Sequence, residues 1–281
     1  MLATEWLFIM LGVTTASNIN FPICTRNLVA RLAVSPEEIA AAQSLRYRVF
    51  YEEMGANPSL EMQLLRSDFD RFDEICDHLL VICEDRADLP CGVVGTYRIL
   101  RKRTAIENGG FYSSDEFDLT PLLDFKGEIM ELGRSCVDPE YRNRPTMQLL
   151  WQAILYYVQL YKIEILFGCA SFKGIKIENI KLPLSYLYHY HLAPIKLRPQ
   201  AINGRFIELN RLPKDEINCS FAWKNLPPLI KGYLRLGGFV GDGAVVDQQF
   251  NTTDVSIIVK TDLITKRYFR HYERFANPSL D

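Results

Sequence analysis

One stretch in the middle of the chain determines the order of the elements around it. Residues 127–142 read GEIMELGRSCVDPEYR, an apolar strand pattern that contains Glu131 and Arg134 and ends in a turn. From Thr146 to Tyr161, apolar residues recur every three or four positions, which predicts a helix with one broad buried face. The sequence therefore predicts a strand, a basic loop and a helix in direct succession.

The start of the predicted helix has the features of an anion site. A helix N-terminus offers free backbone N–H groups and the positive end of the helix dipole, and here Arg142 and Arg144 lie beside it. Pro145 contributes no N–H group, so fewer amides are available than in a glycine-rich phosphate loop. We therefore expect these two arginines to bind a single phosphate rather than a pyrophosphate.

Length and composition indicate one globular domain. The chain has 281 residues, 48% of them hydrophobic, and a net charge of −2, which argues against a nucleic-acid-binding protein. No internal repeat or linker is evident. We predict a weakly ordered or disordered lead-in over residues 1–26 and one domain over 27–281, with a C-terminal extension from about residue 200.

The chain also lacks the usual marks of a secreted or metal-binding protein. The apolar run from Trp6 to Val13 is far shorter than the roughly 20 residues that cross a bilayer. The first basic residue is Arg26, whereas a signal peptide begins with positive charge. Seven cysteines are scattered without zinc-ligand spacing. We expect reduced cysteines, no metal and a cytoplasmic location; Cys136 is either a buried apolar residue or a nucleophile.

Further elements frame this central unit. Ser35-Pro36-Glu37 is a strong helix start, and Gly55 marks the end of that helix. Residues 78–83 and 92–100 are apolar runs that predict an antiparallel hairpin, and 163–170 predicts a further strand. A glycine-rich turn at 237–243 and a late strand at 255–259 are expected near the C-terminus. The fold class is α/β or α+β.

Four charged motifs occur in a characteristic order. They are Leu45-Arg46 on the first helix, the acidic stretch Asp68-Phe69-Asp70-Arg71-Phe72-Asp73, the strand Gly95-Thr96-Tyr97-Arg98, and Glu131-Leu132-Gly133-Arg134. Together they resemble the acyl-homoserine lactone synthases, which are related to the GCN5-related N-acyltransferases (GNAT). The resemblance implies a GNAT-like fold, with a mixed central sheet flanked by helices. Without it, the acidic stretch would equally suit a solvated loop.

Two departures indicate a particular branch of this group. Ala56 stands where the lactone synthases have tryptophan, and the chain continues into a long C-terminal part. Residues 226–237 and the segment Phe250-Asn251-Thr252-Thr253-Asp254 resemble the L-ornithine N-alpha-acyltransferases of ornithine-lipid biosynthesis. This resemblance implies transfer of a 3-hydroxyacyl group from acyl carrier protein to the α-amine of L-ornithine, giving lyso-ornithine lipid. The acyl donor would be the phosphopantetheine thioester of the carrier protein, with no bound cofactor.

The predicted catalytic residues lie on the central strand. An amine must lose a proton before it attacks a thioester, and Glu131, on a mostly apolar strand, is the candidate base. The alternative is that Glu131 forms an ion pair with Arg134 or Arg46. The backbone N–H of Val137 is the candidate donor to the thioester oxygen at the point where two strands separate.

The predicted substrate-binding residues come from three other segments. Asp70 and Asp73 are expected to bind the side-chain ammonium of ornithine. Arg46 or Arg98 is expected to hold its carboxylate through two parallel hydrogen bonds. Arg142 and Arg144 are assigned to the phosphopantetheine phosphate.

The expected macromolecular partner is an acidic carrier protein, which requires a local basic surface. The candidate basic clusters are 101–103, 142–144 and the lysines between 172 and 181, where interleaved apolar residues also suggest peripheral contact with the inner face of the bacterial cytoplasmic membrane. Two other functions remain open: a lactone synthase that uses S-adenosylmethionine, and a non-enzymatic haemolysin-like membrane-active protein.

Overall fold

A computed structural model describes residues 21–264, apart from the side chain of Arg144. Ten strands form one mixed sheet in the order β1-β2-β3-β4-β6-β7-β10-β9-β8-β5. The strands are β1 (Ile23–Thr25), β2 (Leu28–Leu32), β3 (Asp77–Cys83), β4 (Val93–Arg101), β5 (Phe117–Asp118), β6 (Glu128–Val137), β7 (Ile163–Lys173), β8 (Gln200–Ala201), β9 (Phe239–Asp247) and β10 (Thr252–Lys260).

The helices lie on both faces of this sheet. They are α1 (Pro36–Tyr47), which continues into a π-helical turn (Arg48–Glu53), α2 (Leu60–Leu65), α3 (Lys102–Glu107), α4 (Thr120–Leu123), α5 (Arg144–Leu160), α6 (Lys181–His191), α7 (Cys219–Asn225) and α8 (Pro228–Arg235). Ser35 caps α1, because its side chain accepts a hydrogen bond from the N–H of Glu38.

Two sets of core residues separate the faces. On one face, α5 and α8 pack on residues such as Val81 and Leu132. On the other face, α1 packs against Leu80 and Val93, and residues around Phe111 and Phe167 form a further core cluster. Because successive side chains of a strand point to opposite faces, this arrangement follows from the apolar runs of the central strands. The mixed sheet flanked by helices confirms the predicted fold class.

The N-terminal lead-in is only partly described. Residues 1–20 lie outside the described residues, whereas Ile23–Thr25 pair with Leu28–Leu32 as an antiparallel strand at the sheet edge. The stretch 23–25 is therefore ordered, contrary to the prediction of a weakly ordered lead-in through residue 26. A backbone that pairs along its length with a neighbouring strand is stabilised by that ladder, whatever its composition.

The C-terminal extension supplies strands to the same sheet. The glycine-rich segment 237–243 was predicted as a turn but contributes the first half of β9, which pairs with β10. A Cβ atom at Gly241 would lie 2.7 Å from the carbonyl oxygen of Pro199, so a side chain there would clash with the neighbouring backbone. These glycines therefore permit close packing within a strand.

Candidate active site

The two central strands separate along their length. Strands β6 and β7 run parallel and pair only as far as Glu131, opposite Phe167. Beyond this point β7 continues to pair with β10 on its other side, up to Lys173. The two strands therefore diverge into a gap, as predicted for the strand that carries Glu131 and Arg134.

Strand β6 also contains a bulge at the start of the gap. Arg134 adopts φ of +49°, and the register between β4 and β6 shifts at this position. A bulge redirects the side chains near it. The side chain of Arg134 therefore does not follow the regular alternation between the two faces of the sheet.

The backbone beyond the bulge presents an N–H group to the gap. Gly95 pairs with Val137, and the N–H of Asp138 donates to the carbonyl oxygen of Val94 at 2.8 Å. Alternate residues of an antiparallel ladder direct their N–H groups to opposite edges of the strand. The N–H of Val137 thus points away from β4, toward the side where β7 has diverged.

A cavity of about 500 Å³ lies at the gap and is lined from both faces of the sheet. One side is largely apolar and comes from β6, α5 and α8; it includes Leu132, Val137, Met147, Trp151, Leu229, Gly232 and Tyr233. The other side is polar and includes Arg98, Tyr112, Glu131, Arg134, Cys169, Ser171, Asp247 and Asp254. The gap therefore joins an apolar chamber to a charged one.

The four charged motifs meet as a closed ring of three arginines and three aspartates. Arg46 binds Asp68 at 2.7 Å and Asp73 at 2.8 Å. Arg98 joins Asp73 at 3.3 Å to Asp70 at 2.6 Å. Arg134 closes the ring between Asp70 at 2.9 Å and Asp68 at 3.2 Å. The ring ties α1, the acidic stretch, β4 and β6 together, so the acidic stretch is not a solvated loop.

This ring corrects three predicted substrate contacts. Arg46 is completely buried and its guanidinium is bound to Asp68 and Asp73, so it is not placed to hold a substrate carboxylate. Burial alone would raise the pKa of Asp73, but Arg46 and Arg98 hold it well below its usual range. Asp70 has both oxygens bound to arginines. The two aspartates are therefore neutralised inside the protein and do not supply free charge for a substrate ammonium.

The other two arginines of the ring reach the cavity. Arg98 is 4% exposed and lines the polar chamber. Arg134 lies between two aromatic rings, with its guanidinium carbon 4.7 Å from the ring centres of both Tyr112 and Phe250. Such contacts and the ion pairs fix the orientation of the side chain. The position of Arg98 agrees with the predicted role in carboxylate binding, which stays a prediction.

Glu131 is held by a turn that the sequence did not indicate. Its carboxylate accepts hydrogen bonds from the N–H groups of Tyr112 at 2.9 Å and Ser113 at 2.8 Å, and a further one from the Ser113 hydroxyl. Burial raises the pKa of Glu131, and these hydrogen bonds oppose that shift. Arg46 and Arg134 bind aspartates instead, so the expected ion pair of Glu131 with either arginine is replaced by the turn. Glu131 lines the cavity.

At the predicted phosphate site, several of the groups that could bind a phosphate already have partners within the protein. Arg142 lines the cavity, where its guanidinium binds both carboxylate oxygens of Glu53 and its Nε donates to the carbonyl of Val137. Asn143 accepts a hydrogen bond from the N–H of Thr146, which uses one amide of the first turn of α5. The side chain of Arg144 lies outside the described residues. Arg142 thus lies at the cavity and is paired with Glu53.

Cys136 has the properties of a buried apolar residue. It is 5% exposed, and burial raises its pKa to about 12, which disfavours the thiolate needed for nucleophilic attack. All seven cysteines of the chain are free thiols, as expected.

The polar chamber contains carboxylates that the sequence did not single out. Asp247 and Asp254 line the cavity and are 9% and 6% exposed. Glu116 lies behind them, and burial together with the charge of Asp254 raises its pKa to about 7. The Cys169 thiol lies 3.3 Å from the Glu116 carboxylate. This acidic corner comes from the β9–β10 hairpin, from β7 and from the loop before β5.

Comparison with known proteins places this geometry in a family. A model of the acetyltransferase (GNAT) domain matches residues 45–152, which include the end of α1, β4, β6 and the start of α5. The L-ornithine N(alpha)-acyltransferase of Agrobacterium fabrum is 46% identical over 248 residues, covering 87% of this chain and 85% of that protein. The protein of the same name from Brucella abortus is 46% identical over 257 residues, covering 89% of this chain and 90% of that protein.

The chain belongs to the L-ornithine N(alpha)-acyltransferase family. Members of this family from Rhizobium meliloti and Rhodobacter capsulatus are 46% and 44% identical to it. The segment Phe250–Asp254, on which the resemblance to this family rested, lies at the cavity: Phe250 contacts Arg134, and Asp254 lines the polar chamber.

Some solved structures are similar to this chain at low sequence identity. The AHL synthase LasI is 14% identical, with a TM-score of 0.46, and covers 85% of this chain and 94% of its own. FeeM, an N-acyl amino acid synthase from uncultured soil microbes, is 13% identical, with a TM-score of 0.44, covering 86% of this chain and 96% of its own.

The residues at or beside the cavity that the sequence did not indicate lie in loops and in the late hairpin. Ser113 follows the turn Asn108-Gly109-Gly110. The sequence of this segment indicates a connection between strands but does not indicate the contact with Glu131. Asp247 and Asp254 lie more than 100 residues after β6 in the chain. The only signal for Asp254 was its position in the family-specific segment.

No helix within residues 21–264 is long and apolar enough to cross a membrane.

Proposed function

We propose that this protein transfers a 3-hydroxyacyl group from the phosphopantetheine thioester of acyl carrier protein to the α-amine of L-ornithine, giving lyso-ornithine lipid. The observation that carries this proposal is the cavity at the β6–β7 gap, which joins an apolar chamber to a charged one in a chain 46% identical to named L-ornithine N(alpha)-acyltransferases. A fatty chain and a zwitterionic amino acid require such different surroundings at one reaction centre.

The acyl chain is assigned to the apolar chamber between α5 and α8. Trp151 and Tyr233 meet edge to face there, with ring centres 5.5 Å apart. Gly232 lies within α8 and lines the cavity, and a Cβ atom at this position would have no atom within 4 Å. Glycine in a helix costs about 0.5–1 kcal/mol relative to alanine. Space for the acyl chain is a physical reason for glycine at this position.

The thioester carbonyl is assigned to the gap itself. When the neutral α-amine attacks the carbonyl carbon, a C–N bond forms and the oxygen becomes negative. The Val137 N–H would donate to that oxygen. Collapse of the tetrahedral intermediate breaks the C–S bond and releases the phosphopantetheine thiolate, which takes up the proton that the attacking nitrogen loses as the amide forms. Arg142 would hold the phosphate of the arm after exchange of its contact with Glu53, with Arg144 as the second candidate.

The amino-acid acceptor is assigned to the charged chamber. Arg98 would bind its carboxylate, and Glu131 would accept the proton from its α-ammonium group, directly or through water. Arg134 would keep the chamber in shape through its contacts with Tyr112 and Phe250. The ring of three arginines and three aspartates supports this geometry from behind.

The test is turnover with defined substrates. Purified protein is incubated with 3-hydroxyacyl carrier protein and L-ornithine, and both thiol release and product mass are followed. We expect thiol release with ornithine and a product with the mass of the N-acyl amino acid. Parallel reactions use the same acyl group on coenzyme A, to test the donor, and S-adenosylmethionine as acceptor. Thiol release with S-adenosylmethionine but not with ornithine would contradict the proposal.

We further propose that the enzyme works at the cytoplasmic face of the membrane, where its lipid product accumulates. Lys173 and Lys176 are exposed, and Ile175 between them is 38% exposed. Basic residues with an exposed apolar side chain suit an anionic lipid surface. Sedimentation with vesicles containing anionic phospholipid tests this: the protein should pellet with them, and a triple variant with glutamine at 173 and 176 and serine at 175 should not. Recovery of the wild type in the supernatant would refute the membrane contact.

A further inference from the structure

Two buried carboxylates in the polar chamber have no cationic partner within the described part of the chain. Most other buried acids do: Asp68 and Asp73 bind Arg46, Asp138 binds Arg48 at 3.3 Å, and Glu116 lies 3.3 Å from Arg205. Among residues 21–264, no ion pair engages Asp247 or Asp254. Buried charges in proteins are normally paired with an opposite charge.

Asp254 is the more exceptional of the two. It is 6% exposed, it lines the cavity, and its Oδ1 atom has no hydrogen-bond partner within the described residues. Asp247, in contrast, accepts a hydrogen bond from the N–H of Phe250 at 2.9 Å and so also holds the hairpin turn. An acid that is buried, forms no ion pair, has an oxygen without a hydrogen bond and borders a cavity is placed to receive a ligand.

The two carboxylates face the same chamber. Asp254 pairs with Val245 across the β9–β10 hairpin, and Asp247 lies two residues further along the same strand as Val245. Directly opposed residues share a face of the sheet, and so do residues two apart on one strand. Asp254 also pairs with Ser171 of β7 on its other side, at the level where β6 has separated.

We propose that Asp254, with Asp247 beside it, binds the side-chain ammonium of the amino-acid acceptor and so selects a basic amino acid. This inference rests on the proposed function and replaces the earlier assignment to Asp70 and Asp73. The α-amine then faces the thioester at Val137, and the carboxylate faces Arg98. Acylation at the α position follows, because the side-chain nitrogen is held in the acidic corner as a cation.

The charge state of the corner agrees with a cationic ligand. Burial raises the pKa of Asp254 to about 6, and the nearby charge of Asp247 adds to this shift, while Ser171, Thr252 and Arg134 oppose it. Two acids so close together repel unless a cation lies between them. A bound ammonium would favour the ionised form of Asp254.

A divalent metal is the other cation that this chemistry could attract. One ligand atom each of Glu116, Cys169 and Asp254 lies within 4.8 Å of the others. However, Glu116 is already paired with Arg205 at 3.3 Å, which reduces the negative charge available to a metal ion. We therefore assign the corner to an ammonium group and make the metal an outcome of the test.

The experiment compares acceptors that differ only at the side chain. Ornithine is tested against 2-aminopentanoate, which has the same carbon chain without the terminal amine. In the wild type, kcat/KM for ornithine should exceed that for 2-aminopentanoate, and Asp254→Asn should reduce this ratio at least about tenfold, mainly through KM for ornithine. Asp254→Glu, with a longer side chain, should shift preference toward the shorter 2,4-diaminobutyrate.

Controls separate the possible failures. Asp242→Asn, on the same strand as Asp247 but outside the cavity lining, should leave the ratio unchanged. An equal loss for both acceptors in Asp254→Asn would give Asp254 a structural role and overturn the inference. Loss of wild-type activity in EDTA, restored by a divalent metal, would also overturn it. Calorimetric titration with ornithine is the readout independent of turnover. Tight binding that requires Asp254, without any acylation, would contradict the proposed function but not the role of Asp254 in binding ornithine.

Discussion

At the scale of single residues, Glu131 is the proposed base, and the sequence offered an ion pair with Arg134 or Arg46 as its alternative role. Its raised pKa suits proton transfer, but three hydrogen bonds from residues 112–113 show that it also anchors a turn beside the cavity. The strand pattern predicted that this acid would be buried. It could not predict the turn, because the contact joins residues 18 and 19 positions apart through tertiary packing.

The variant Glu131→Gln separates these tasks. A glutamine NH₂ group would face the N–H groups of Tyr112 and Ser113, so we expect a loss of about 1–3 kcal/mol in the free energy of unfolding. If Glu131 is the base, turnover should fall by about 10²-fold or more, and the acidic limb of the pH profile of kcat/KM should disappear. Glu128→Gln, an exposed acid on the same strand, is the control and should change neither quantity. Persistence of the acidic limb in Glu131→Gln would show that Glu131 holds the turn but is not the base.

At the scale of elements, the ring of arginines and aspartates holds four segments of the chain in place. The resemblance to the lactone synthases implied that these four segments form one site. It did not predict which charges pair with each other, since Arg46 was assigned to the substrate. Which charges pair depends on which side chains are fully buried, and Arg46 is completely buried.

The ring predicts a large penalty for removing one member. Arg46→Met leaves Asp68 and Asp73 buried without their main partner, which should reduce the free energy of unfolding by about 3–5 kcal/mol. Arg103→Met removes an exposed arginine that, among residues 21–264, is paired with Glu107, four residues away, and should change the free energy of unfolding by about 0.5 kcal/mol or less. Chemical denaturation of both variants provides the measurement. Equal stability of Arg46→Met and Arg103→Met would refute the account of the ring.

The acidic corner predicts an unusual pH dependence of stability. The pKa values of Glu116, about 7, and Asp254, about 6, lie above those of unfolded carboxyls. The folded state therefore retains protons that the unfolded chain has lost, so the stabilising contribution of these groups declines as pH rises from about 4 to 7. The charged groups around them are Asp247, Arg134 and Arg205, and the neutral thiol of Cys169 lies beside Glu116.

Calorimetry at a series of pH values tests this. Between pH 5 and 8, the wild type should lose more thermal stability than a Glu116→Gln, Asp254→Asn double variant, and ornithine should stabilise the wild type more at pH 7.5 than at pH 5. Parallel curves for the two proteins would show that the corner is not the source of the pH dependence.

At the scale of the whole molecule, the gap in the sheet connects two chemically different chambers. The family resemblance implied the mixed sheet and the separation of its central strands, and the strand–loop–helix order of residues 127–161 agrees with the parallel pairing of β6 and β7. It did not predict that β9 and β10 extend the sheet and supply one wall of the cavity. The glycines of β9 resembled a turn, since the close packing that they permit is visible only in three dimensions.

The most direct test of the two-chamber arrangement is steady-state kinetics with donor and acceptor varied independently. Gly232→Leu should raise KM for a long-chain acyl donor at least about tenfold, because the new side chain occupies space equivalent to several buried methylenes at about 0.8 kcal/mol each, and leave KM for ornithine unchanged. Asp254→Asn should raise KM for ornithine and leave KM for the acyl donor unchanged. Parallel changes of both KM values in either variant would contradict the assignment of the two substrates to opposite faces of the sheet.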